Sequence, residues 1–491
     1  MSELSEHFLS FRKHIIGDDQ EFRTPYGVKK MIYADWIASG RLYRPIERRM
    51  SDMIGPFIGN THTETTETGT LMTNAYKTAH KIIKQHVGAN ENDVIITAGS
   101  GMTRVVNKLQ RILGLRGIVN NKNVNTDISG EDQPIVFTTH MEHHSNHTSW
   151  LETIAKVVVL EPDENNMVDK SELERQLLIF KDHKIKIGTF TAGSNVTGII
   201  PPYYELAEIM HKHGGIVMVD FAGSAPYVDI NMHPKNELQS LDAIFFSPHK
   251  FLGGPGSSGV VIFNKHLYKK QVPDNPGGGT VSWTDPWGGH KYFDDIELRE
   301  DGGTPGFLQA IKAAYAIKLK NKLNTKLIAI REKELVNRAF EGFSKIDGIH
   351  ILADNIKDRL GVFSFWTKHI HFNLVVKLLN DRYGIQVRGG CACAGTYGHF
   401  LLNVTPSESS EIVERISSGD LSVKPGFVRV SLHPTMTDDE LDYVIEAIKS
   451  IIDNHKEWGK EYEYSRNTNE FTHKTFDPEL KDRIENWFEI E

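Results

Sequence analysis

The pattern of apolar and polar positions between residues 135 and 263 predicts a series of buried strands separated by helices. The spacing of apolar residues over 171–180 and 204–213 is typical of amphipathic helices. Strands that are apolar on both faces and alternate with helices favour a mostly parallel sheet covered on both sides. The sequence therefore predicts an α/β fold whose strands cover residues 135–139, 156–161, 186–191, 216–220, 243–247 and 259–263.

The flanking segments contain further predicted elements. Residues 59–68 are polar and rich in hydroxyls, which predicts a loop, and residues 119–132 are rich in Asn, Asp and Gly, which is typical of an exposed insertion. The remaining patterns predict strands over 30–36, 93–97, 363–366 and 427–432. They also predict helices over 76–87 and 307–323, and a further helix that begins at about residue 102.

A chain of 491 residues exceeds one ordinary core, so we expect more than one domain. The pattern predicts a large domain containing the mostly parallel sheet and a smaller α+β C-terminal domain. The predicted boundaries are an N-terminal segment over 1–30, the large domain over 31–310, the small domain over 311–455, and a charged extension over 456–491.

Composition and charge narrow the class of protein. Hydrophobic residues make up 39% of the chain, charged residues 24%, and the formal net charge is −8. With this acidic balance we expect neither nucleic acid nor membrane among the partners. The first 20 residues are too charged for a signal peptide, and no apolar stretch approaches the roughly 18 residues of a membrane span. The two cysteines, Cys391 and Cys393, are too close for a disulfide framework, which favours a cytoplasmic location.

One lysine stands out by its position. Residues 243–247 form an apolar run that ends in Ser247, Pro248, His249 and Lys250, and a loop rich in glycine and proline follows. A lysine at the mouth of a buried strand loses part of its hydration, and it can then act as an amine nucleophile toward a carbonyl. Most single lysines after a strand are ordinary loop residues, so the neighbouring strands decide between the two readings.

Polar residues follow the neighbouring predicted strands in the same way. His143, Asn195 and Asp220 each lie at or just after the carboxyl end of a strand, as Lys250 does. Each has a structural explanation as a loop residue, turn former or helix cap. In parallel sheets, however, ligands bind beyond the carboxyl ends of the strands. Four such residues at one edge predict a ligand site.

A phosphate-binding turn is also predicted. A strand ends in small residues, and Gly101, Met102 and Thr103 then open a helix, an arrangement that offers N–H groups and a hydroxyl to a phosphate. A nucleophilic lysine, an aspartate, a flat ring and a phosphate turn are the parts that pyridoxal 5'-phosphate needs.

The sequence resembles the class V aminotransferase family of fold-type-I pyridoxal phosphate enzymes, and within it the cysteine desulfurase and selenocysteine lyase branch. The resemblance extends from about residue 33 to 448. It is carried by the motifs Met141-Glu142-His143-His144-Ser145-Asn146, Val219-Asp220, Ser247-Pro248-His249-Lys250, Gly302-Gly303-Thr304-Pro305 and Val387-Arg388-Gly389-Gly390-Cys391-Ala392-Cys393-Ala394.

The resemblance implies a role for each matching residue. Lys250 would bind the cofactor as an aldimine, Asp220 would pair with the ring nitrogen, and His143 would stack on the ring. Asn195 would lie near the ring O3′ and contact substrate. The phosphate would be held by Gly101, Met102, Thr103, Ser247 and His249, with Thr304 contributed by a second subunit of a homodimer.

The resemblance also implies a reaction. Arg429 matches the arginine that receives the carboxylate of a small amino-acid substrate, and Cys393 matches the sulfur-accepting cysteine. After Cα deprotonation, the Cys393 thiolate would attack the substrate sulfur, leaving a persulfide and alanine. A sulfur-acceptor protein would then be a further partner.

Two positions depart from the family pattern. Phe221-Ala222-Gly223-Ser224 follows Asp220 where relatives have a glutamine, and Cys391 occupies a place where many relatives have histidine. The Cys-x-Cys loop is similar to that of the N-terminal domain of molybdenum cofactor sulfurases, so the identity of the sulfur acceptor stays open.

Three alternatives remain on the sequence alone. The chain is a class V aminotransferase, lyase or epimerase acting on another amino acid. Or Cys391, Cys393 and His399 form part of a metal site, although zinc usually needs four ligands and a wider cysteine spacing. Or the chain is an inactive scaffold for sulfur-transfer partners, against which the intact Lys250 and Asp220 argue.

Overall fold

The structure is a computed structural model that describes residues 3–116 and 128–490. Most of the insertion predicted at 119–132 therefore lies outside the described residues. The described chain divides into two compact units. Unit 1 is built from Met1–Lys13, Gly17–Trp36 and Arg331–Glu491, and unit 2 from His14–Ile16 and Ile37–Ile330. The predicted domain boundaries stay a prediction.

The strands follow one another along the described chain as β1 (Glu21–Thr24), β2 (Gly27–Lys30), β3 (Ile32–Tyr33), β4 (Asp93–Ala98), β5 (Ile135–Thr139), β6 (Lys156–Leu160), β7 (Lys186–Thr191), β8 (Ile216–Asp220), β9 (Ala243–Phe246), β10 (Gly259–Asn264), β11 (Val281–Thr284), β12 (His290–Tyr292), β13 (Ile349–Ile351), β14 (Val362–Thr367), β15 (Ile385–Gln386), β16 (Arg388–Gly390), β17 (Phe427–Ser431), β18 (Tyr462–Ser465) and β19 (Glu470–His473).

The α-helices are α1 (Glu3–Arg12), α2 (Arg44–Arg48), α3 (Glu67–His86), α4 (Met102–Ile112), α5 (His144–Leu151), α6 (Lys170–Ile179), α7 (Tyr203–Lys212), α8 (Ile296–Arg299), α9 (Phe307–Leu323), α10 (Thr325–Phe343), α11 (Phe372–Tyr383), α12 (Gly395–Leu401), α13 (Pro406–Ser417), α14 (Asp438–Trp458) and α15 (Leu480–Asn486).

A seven-stranded sheet forms the centre of unit 2. Its order is β4-β10-β9-β8-β7-β5-β6. Strands β6, β5, β7, β8 and β9 run parallel to one another, and β10 is antiparallel to both of its neighbours, β4 and β9. The predicted α/β fold with a mostly parallel sheet is confirmed.

Burial explains why these segments form strands. Every residue of β5, β7 and β9 is buried, so both faces of the central strands are covered. One face packs against α4, whose Val105, Leu109 and Ile112 share a core with Phe245 of β9 and Val261 of β10. Because each strand must be apolar on both sides, it is visible in the sequence as a continuous apolar run.

Helix α3 begins earlier than the sequence predicts. The prediction began it at residue 76, whereas the helix begins at Glu67. The Thr66 hydroxyl accepts a hydrogen bond from Gly69 N at 3.3 Å, which caps the first turn. The predicted polar loop 59–68 was therefore too long at its end, because hydroxyl-rich segments serve both loops and helix N-termini.

Unit 1 contains an antiparallel sheet of order β13-β14-β17-β16. The chain's N-terminal segment joins this unit, since β3 pairs in parallel with β15 and Asp35 forms a bridge with Ser431, the last residue of β17. The predicted strand over 30–36 was wrong in length, because regular pairing extends only over Ile32–Tyr33.

The C-terminal segment is also part of unit 1. Strands β18 and β19 form a hairpin, and the hydroxyl of Tyr462 donates to Asp381 of α11 at 3.0 Å. The Arg382 guanidinium lies 3.9 Å from the ring centre of Tyr26 and 4.1 Å from that of Trp458. These cation–π contacts fasten the first hairpin, β1–β2, to the last long helix.

Throughout the described ranges, the helices are too short or too polar to cross a membrane.

Candidate active site

Lys250 lies immediately beyond the carboxyl end of β9. Pro248–Lys250 form a single 3₁₀ turn in which Lys250 N donates to Ser247 O at 3.0 Å. The loop then folds back tightly, and a Cβ at Gly254 would come within 1.8 Å of Pro248 O. Only glycine fits there, so the glycine-rich loop after the lysine is a steric requirement of the turn that presents it.

Asp220 ends the neighbouring strand β8. It is 3% exposed, and its Oδ1 accepts a hydrogen bond from Ala222 N at 2.8 Å. Burial raises the pKa of Asp220 to about 6, while the Ala222 hydrogen bond and the positive charge of Lys250 act in the opposite direction. A buried carboxyl of this kind is best stabilised by a cationic partner.

The predicted phosphate turn converges with the segment that precedes Lys250. Met102 N, at the start of α4, donates to Ser247 Oγ at 2.9 Å. A Cβ at Gly101 would meet Ser247 Oγ at 3.4 Å and His249 Nε2 at 3.6 Å. Burial lowers the pKa of His249 to about 4, with Lys250 acting in the same direction, so its imidazole is neutral at pH 7.

His143 and Thr103 are linked through a residue that sequence reasoning did not single out. His143 caps α5, and its Nδ1 accepts a hydrogen bond from Ser145 N at 3.1 Å. The hydroxyls of Ser145 and Thr103 lie 2.6 Å apart. Ser145 therefore connects the predicted ring-stacking histidine to the phosphate turn. Its position inside the motif at 141–146 was the only signal for it.

Asn195 and Thr304 complete the predicted cofactor residues of unit 2. Asn195 is 7% exposed in the loop after β7, at the edge of the sheet where Asp220 and Lys250 lie. Thr304 is exposed on the loop before α9. Its assignment to the site of a second subunit stays a prediction.

The residues of unit 2 fit pyridoxal phosphate. Gly101, the residue before α4, gives the helix no side-chain cap, so the N–H groups of its first turn suit a phosphate beside Ser247, His249 and Thr103. The buried Asp220 suits a protonated pyridine nitrogen, and Lys250 suits the aldehyde.

Cys393 lies on a tight turn of unit 1, just after β16. The turn is closed by a hydrogen bond from Ala394 N to Cys391 O at 3.0 Å. Its two central residues, Ala392 and Cys393, both have positive φ, 49° and 56°. Turns with two such residues usually contain glycine or asparagine, because a Cβ makes this conformation costly. Cys391 is half-buried, whereas Cys393 is exposed.

Arg429 lies in the middle of β17 in the same unit. It is 2% exposed, and its Nη2 donates to Asp35 Oδ1 at 2.7 Å. Burial lowers the pKa of Arg429, whereas the neighbouring Asp35 acts in the opposite direction. Strand β16, which ends just before the cysteine turn, pairs with β17, so the predicted carboxylate-binding arginine and the predicted nucleophile belong to neighbouring strands.

Two further charged residues surround Arg429 and were not predicted as site residues. Asp35 Oδ2 accepts from Arg388, whose Nε lies at 3.2 Å and Nη2 at 3.1 Å. Arg388 stands inside the cysteine-loop motif, which was a signal for it. Asp35 had none, because its partners lie more than 350 residues away in sequence.

The alternative of a metal site finds no geometric basis in the described ranges. Among these residues, the His, Cys, Asp and Glu side chains form no group of three or more that could hold a metal ion. His399 is engaged elsewhere: Nε2 lies 2.9 Å from Ser409 Oγ and Nδ1 lies 2.8 Å from Gly395 O.

Comparison with known proteins identifies the family. The sequence model of the family described as aminotransferase class V matches residues 32–444. A probable cysteine desulfurase of Halalkalibacterium halodurans is 29% identical over 370 residues, which cover 74% of this chain and 84% of that protein. A probable cysteine desulfurase of Staphylococcus aureus is 28% identical over 429 residues, covering 86% of this chain and 92% of that protein.

Solved structures share the fold. The apo structure of a cysteine desulfurase from Thermococcus onnurineus has a TM-score of 0.71 at 23% identity, covering 91% of this chain and 98% of its own. A cysteine desulfurase from Escherichia coli has a TM-score of 0.69 at 21% identity with the same coverage. The fold is therefore the fold-type-I architecture that the resemblance implied.

Class V aminotransferases are pyridoxal phosphate-dependent enzymes, and the residues around Lys250 suit that cofactor. The match over most of the chain, the shared fold and the strand-end lysine agree: this chain belongs to the class V aminotransferase family.

Proposed function

We propose that this protein is a cysteine desulfurase, which removes sulfur from L-cysteine, or selenium from selenocysteine, and leaves alanine. The observation that carries the proposal is the exposed Cys393 on a turn of positive φ just after β16, the strand that pairs directly with β17 and its buried Arg429. The relatives named as probable cysteine desulfurases, which match 74% and 86% of this chain, support the same chemistry.

The residues of unit 2 hold the cofactor in this proposal. Pyridoxal phosphate, when bound, supplies an electron sink that makes the substrate Cα acidic. Lys250 would bind the aldehyde, Asp220 would keep a proton on the ring nitrogen, and His143 would lie on the ring face. Gly101, Met102, Thr103, Ser247 and His249 would hold the phosphate, and Asn195 would contact the ring and the substrate. The Lys250 amine is also the group that would move the proton of the substrate Cα.

The residues of unit 1 bind and cleave the substrate. The Arg429 guanidinium receives the α-carboxylate by charge-assisted hydrogen bonds. The Cys393 thiolate attacks the substrate sulfur, so that an S–S bond forms as the C–S bond breaks. The electron pair of the broken bond stays with the Cβ carbon, which takes up one proton and becomes the methyl group of alanine. Cys393 is left as a persulfide.

The assembly and location belong to the proposal as well. The working unit is a homodimer in which Thr304 of one subunit contacts the phosphate bound by the other. The two free cysteines suit a reducing, cytoplasmic compartment. The exposure of Cys393 suits transfer of the persulfide sulfur to an acceptor protein, and the similarity of the loop to molybdenum cofactor sulfurases bears on which acceptor that is.

The test compares the two thiols of the loop. With L-cysteine as substrate, we expect Cys393→Ala to abolish formation of alanine and sulfide while the visible absorbance of the bound cofactor is retained. Cys391→Ala is the matched control, because it removes the half-buried neighbour two residues away, and we expect it to retain most of the activity. Undiminished alanine formation by Cys393→Ala would contradict the proposal, and equal losses in both variants would make Cys391 a second essential thiol.

A further inference from the structure

Two arginines of unit 1 face each other across neighbouring strands. Arg388 of β16 and Arg429 of β17 are register partners in an antiparallel pair. Side chains directly opposite each other in such a pair lie on the same face of the sheet, and like charges there are destabilising. The pair therefore needs a counter-charge, above all for Arg429, which is 2% exposed.

Asp35 supplies this counter-charge with both of its oxygens. Oδ1 accepts from Arg429 Nη2 at 2.7 Å, and Oδ2 accepts from Arg388 Nε and Nη2 at 3.2 and 3.1 Å. The three side chains together carry one net positive charge. That charge matches a single carboxylate group.

The backbone around Asp35 is fixed on both sides. Ala34 N donates to Gln386 O at 2.9 Å, next to β16, and Ser431 N donates to Ala34 O at 2.7 Å, at the end of β17. The following residue, Trp36, is 4% exposed and stacks on His433, with ring centres 4.1 Å apart and planes 20° apart. Asp35 is thus held between β17, which carries Arg429, and β15, which ends two residues before Arg388.

We propose that Asp35 is a positioning residue for the substrate carboxylate: it holds the Arg429 guanidinium in place and keeps Arg388 from repelling it. This inference rests on the proposed role of Arg429 and adds a determinant from the N-terminal segment. Asp35 acts through Arg429, so its loss affects substrates that carry a carboxylate and spares analogues that lack one.

The physical reason lies in the difference between the two arginines. The Arg388 side chain is 48% exposed and is free to turn into water when Asp35 no longer bonds it, whereas the Arg429 side chain is 3% exposed and fixed in the sheet. Without Asp35, the guanidinium of Arg429 loses a charge-assisted hydrogen bond that sets its plane. A carboxylate needs that plane, because two parallel N–H···O bonds form only in one orientation.

The experiment compares the binding of L-alanine, the proposed product, with that of L-alaninamide, in which a neutral amide replaces the carboxylate. Both are titrated into the holoenzyme at one pH, and dissociation constants are read from the absorbance of the cofactor. The quantity compared is the preference for L-alanine over L-alaninamide, relative to the same preference in the wild-type protein. This readout does not require sulfur release.

We expect Asp35→Asn to lower that preference by about tenfold or more, as loss of one charge-assisted hydrogen bond implies. We expect the affinity for L-alaninamide to stay within about twofold, and Asp35→Glu to recover part of the preference. An unchanged or increased preference in Asp35→Asn would overturn the proposal.

Asp274→Asn is the matched control. Asp274 is a buried carboxylate of unit 2 that accepts from Arg111 at 2.7 and 2.8 Å and lies 3.5 Å from Lys108. Its replacement removes a similar ionic bridge, and we expect stability to fall while the preference for L-alanine is kept. An equal loss of preference in this control would mean that Asp35 acts only through stability.

Two further variants separate the possible failures. Arg429→Gln tests the proposed role of Arg429: a preference that survives this change refutes that role. A preference lost in Arg429→Gln and kept in Asp35→Asn refutes only the role of Asp35.

If Asp35→Asn does not fold, the double variant Asp35→Asn with Arg388→Gln removes the opposed charge. It is expected to show the same loss of preference.

Discussion

The two side chains that we propose to react, Lys250 and Cys393, lie on different kinds of backbone. Lys250 follows a completely buried strand, and its turn is fixed by a hydrogen bond to Ser247 and by the close approach of Gly254 to Pro248. Cys393 is exposed on a turn whose two central residues have positive φ without being glycine. The lysine is thus held by regular structure, and the cysteine by a costly local conformation.

The difference follows from what each residue must do in the proposed reaction. A lysine that holds a cofactor returns to one position in every cycle, so a rigid strand end suits it. A cysteine that receives sulfur and passes it on must meet two partners in turn. Backbone strain of the kind seen at Ala392 and Cys393 is found at active sites and at segments that change conformation.

Removal of the lysine is expected to have the largest effect. We expect Lys250→Ala to lose the visible absorbance of the covalently bound cofactor and to reduce turnover of L-cysteine by more than about a thousandfold, since the covalent link and the mobile amine are lost together. Lys212→Ala, at a surface lysine paired with Glu208, is the control and should retain both properties. A normal absorbance band in Lys250→Ala would place the cofactor on another residue.

Replacement of Asp220 tests the energetic cost of the buried strand-end site of unit 2. In the cofactor-free protein the pKa of Asp220 is raised to about 6 by burial, so the folded state binds this proton more tightly than the unfolded state does. The resulting stabilisation is complete below about pH 4 and is lost as the pH rises through about 6. At neutral pH the buried carboxylate therefore costs up to about 3 kcal/mol.

We expect Asp220→Asn to raise the free energy of unfolding of the cofactor-free protein at about pH 8, to leave it nearly unchanged at about pH 4, and to weaken cofactor binding. Urea unfolding at the two pH values measures the first effect, and cofactor titration measures the second. A variant that is less stable at both pH values would show that Asp220 contributes mainly by packing.

The smallest expected effect concerns the cysteine turn. Ala392→Gly removes the Cβ from a residue with φ of 49°, which relieves about 1 kcal/mol, and the greater flexibility of glycine in the unfolded chain offsets part of this gain. We expect a net gain of about 0.5 kcal/mol in the free energy of unfolding. Ala394→Gly is the control, because Ala394 has φ of −135°, and the same change should destabilise there. A loss of stability in Ala392→Gly would mean that the turn is not strained.

The elements that the sequence predicted well are those whose environment is uniform. Strand β5 covers the predicted residues 135–139, and β7 the predicted 186–191, because a strand buried on both faces must be apolar throughout. Lys250 and Asp220 were predicted as site residues for the same reason, since Lys250 follows such a strand and Asp220 ends one. The start of helix α3 was predicted too far along the chain, because a hydroxyl residue such as Thr66 is as common in a loop as in a helix cap.

The features that the sequence did not predict, Asp35 and the conformation of the cysteine turn, depend on contacts between residues distant in sequence or on backbone geometry. Asp35 lies 394 residues before Arg429, and a single aspartate in a short segment gives no sign of its partner. The positive φ of Ala392 and Cys393 was equally hidden, because residue type predicts such angles reliably only for glycine and, less often, asparagine.

The long sequence separation between Asp35 and Arg429 also has a consequence for the synthesis of the protein. At about 5 to 20 residues per second, a ribosome needs roughly 20 to 80 s to pass from one to the other. During that time the residues of unit 2 from Ile37 onward emerge as one continuous stretch, whereas the N-terminal segment waits for strands not yet synthesised. A nascent chain therefore carries Ile32 and Tyr33 as an unpaired strand edge until their partner β15 has been synthesised, and an unpaired edge is where other chains can pair and aggregate.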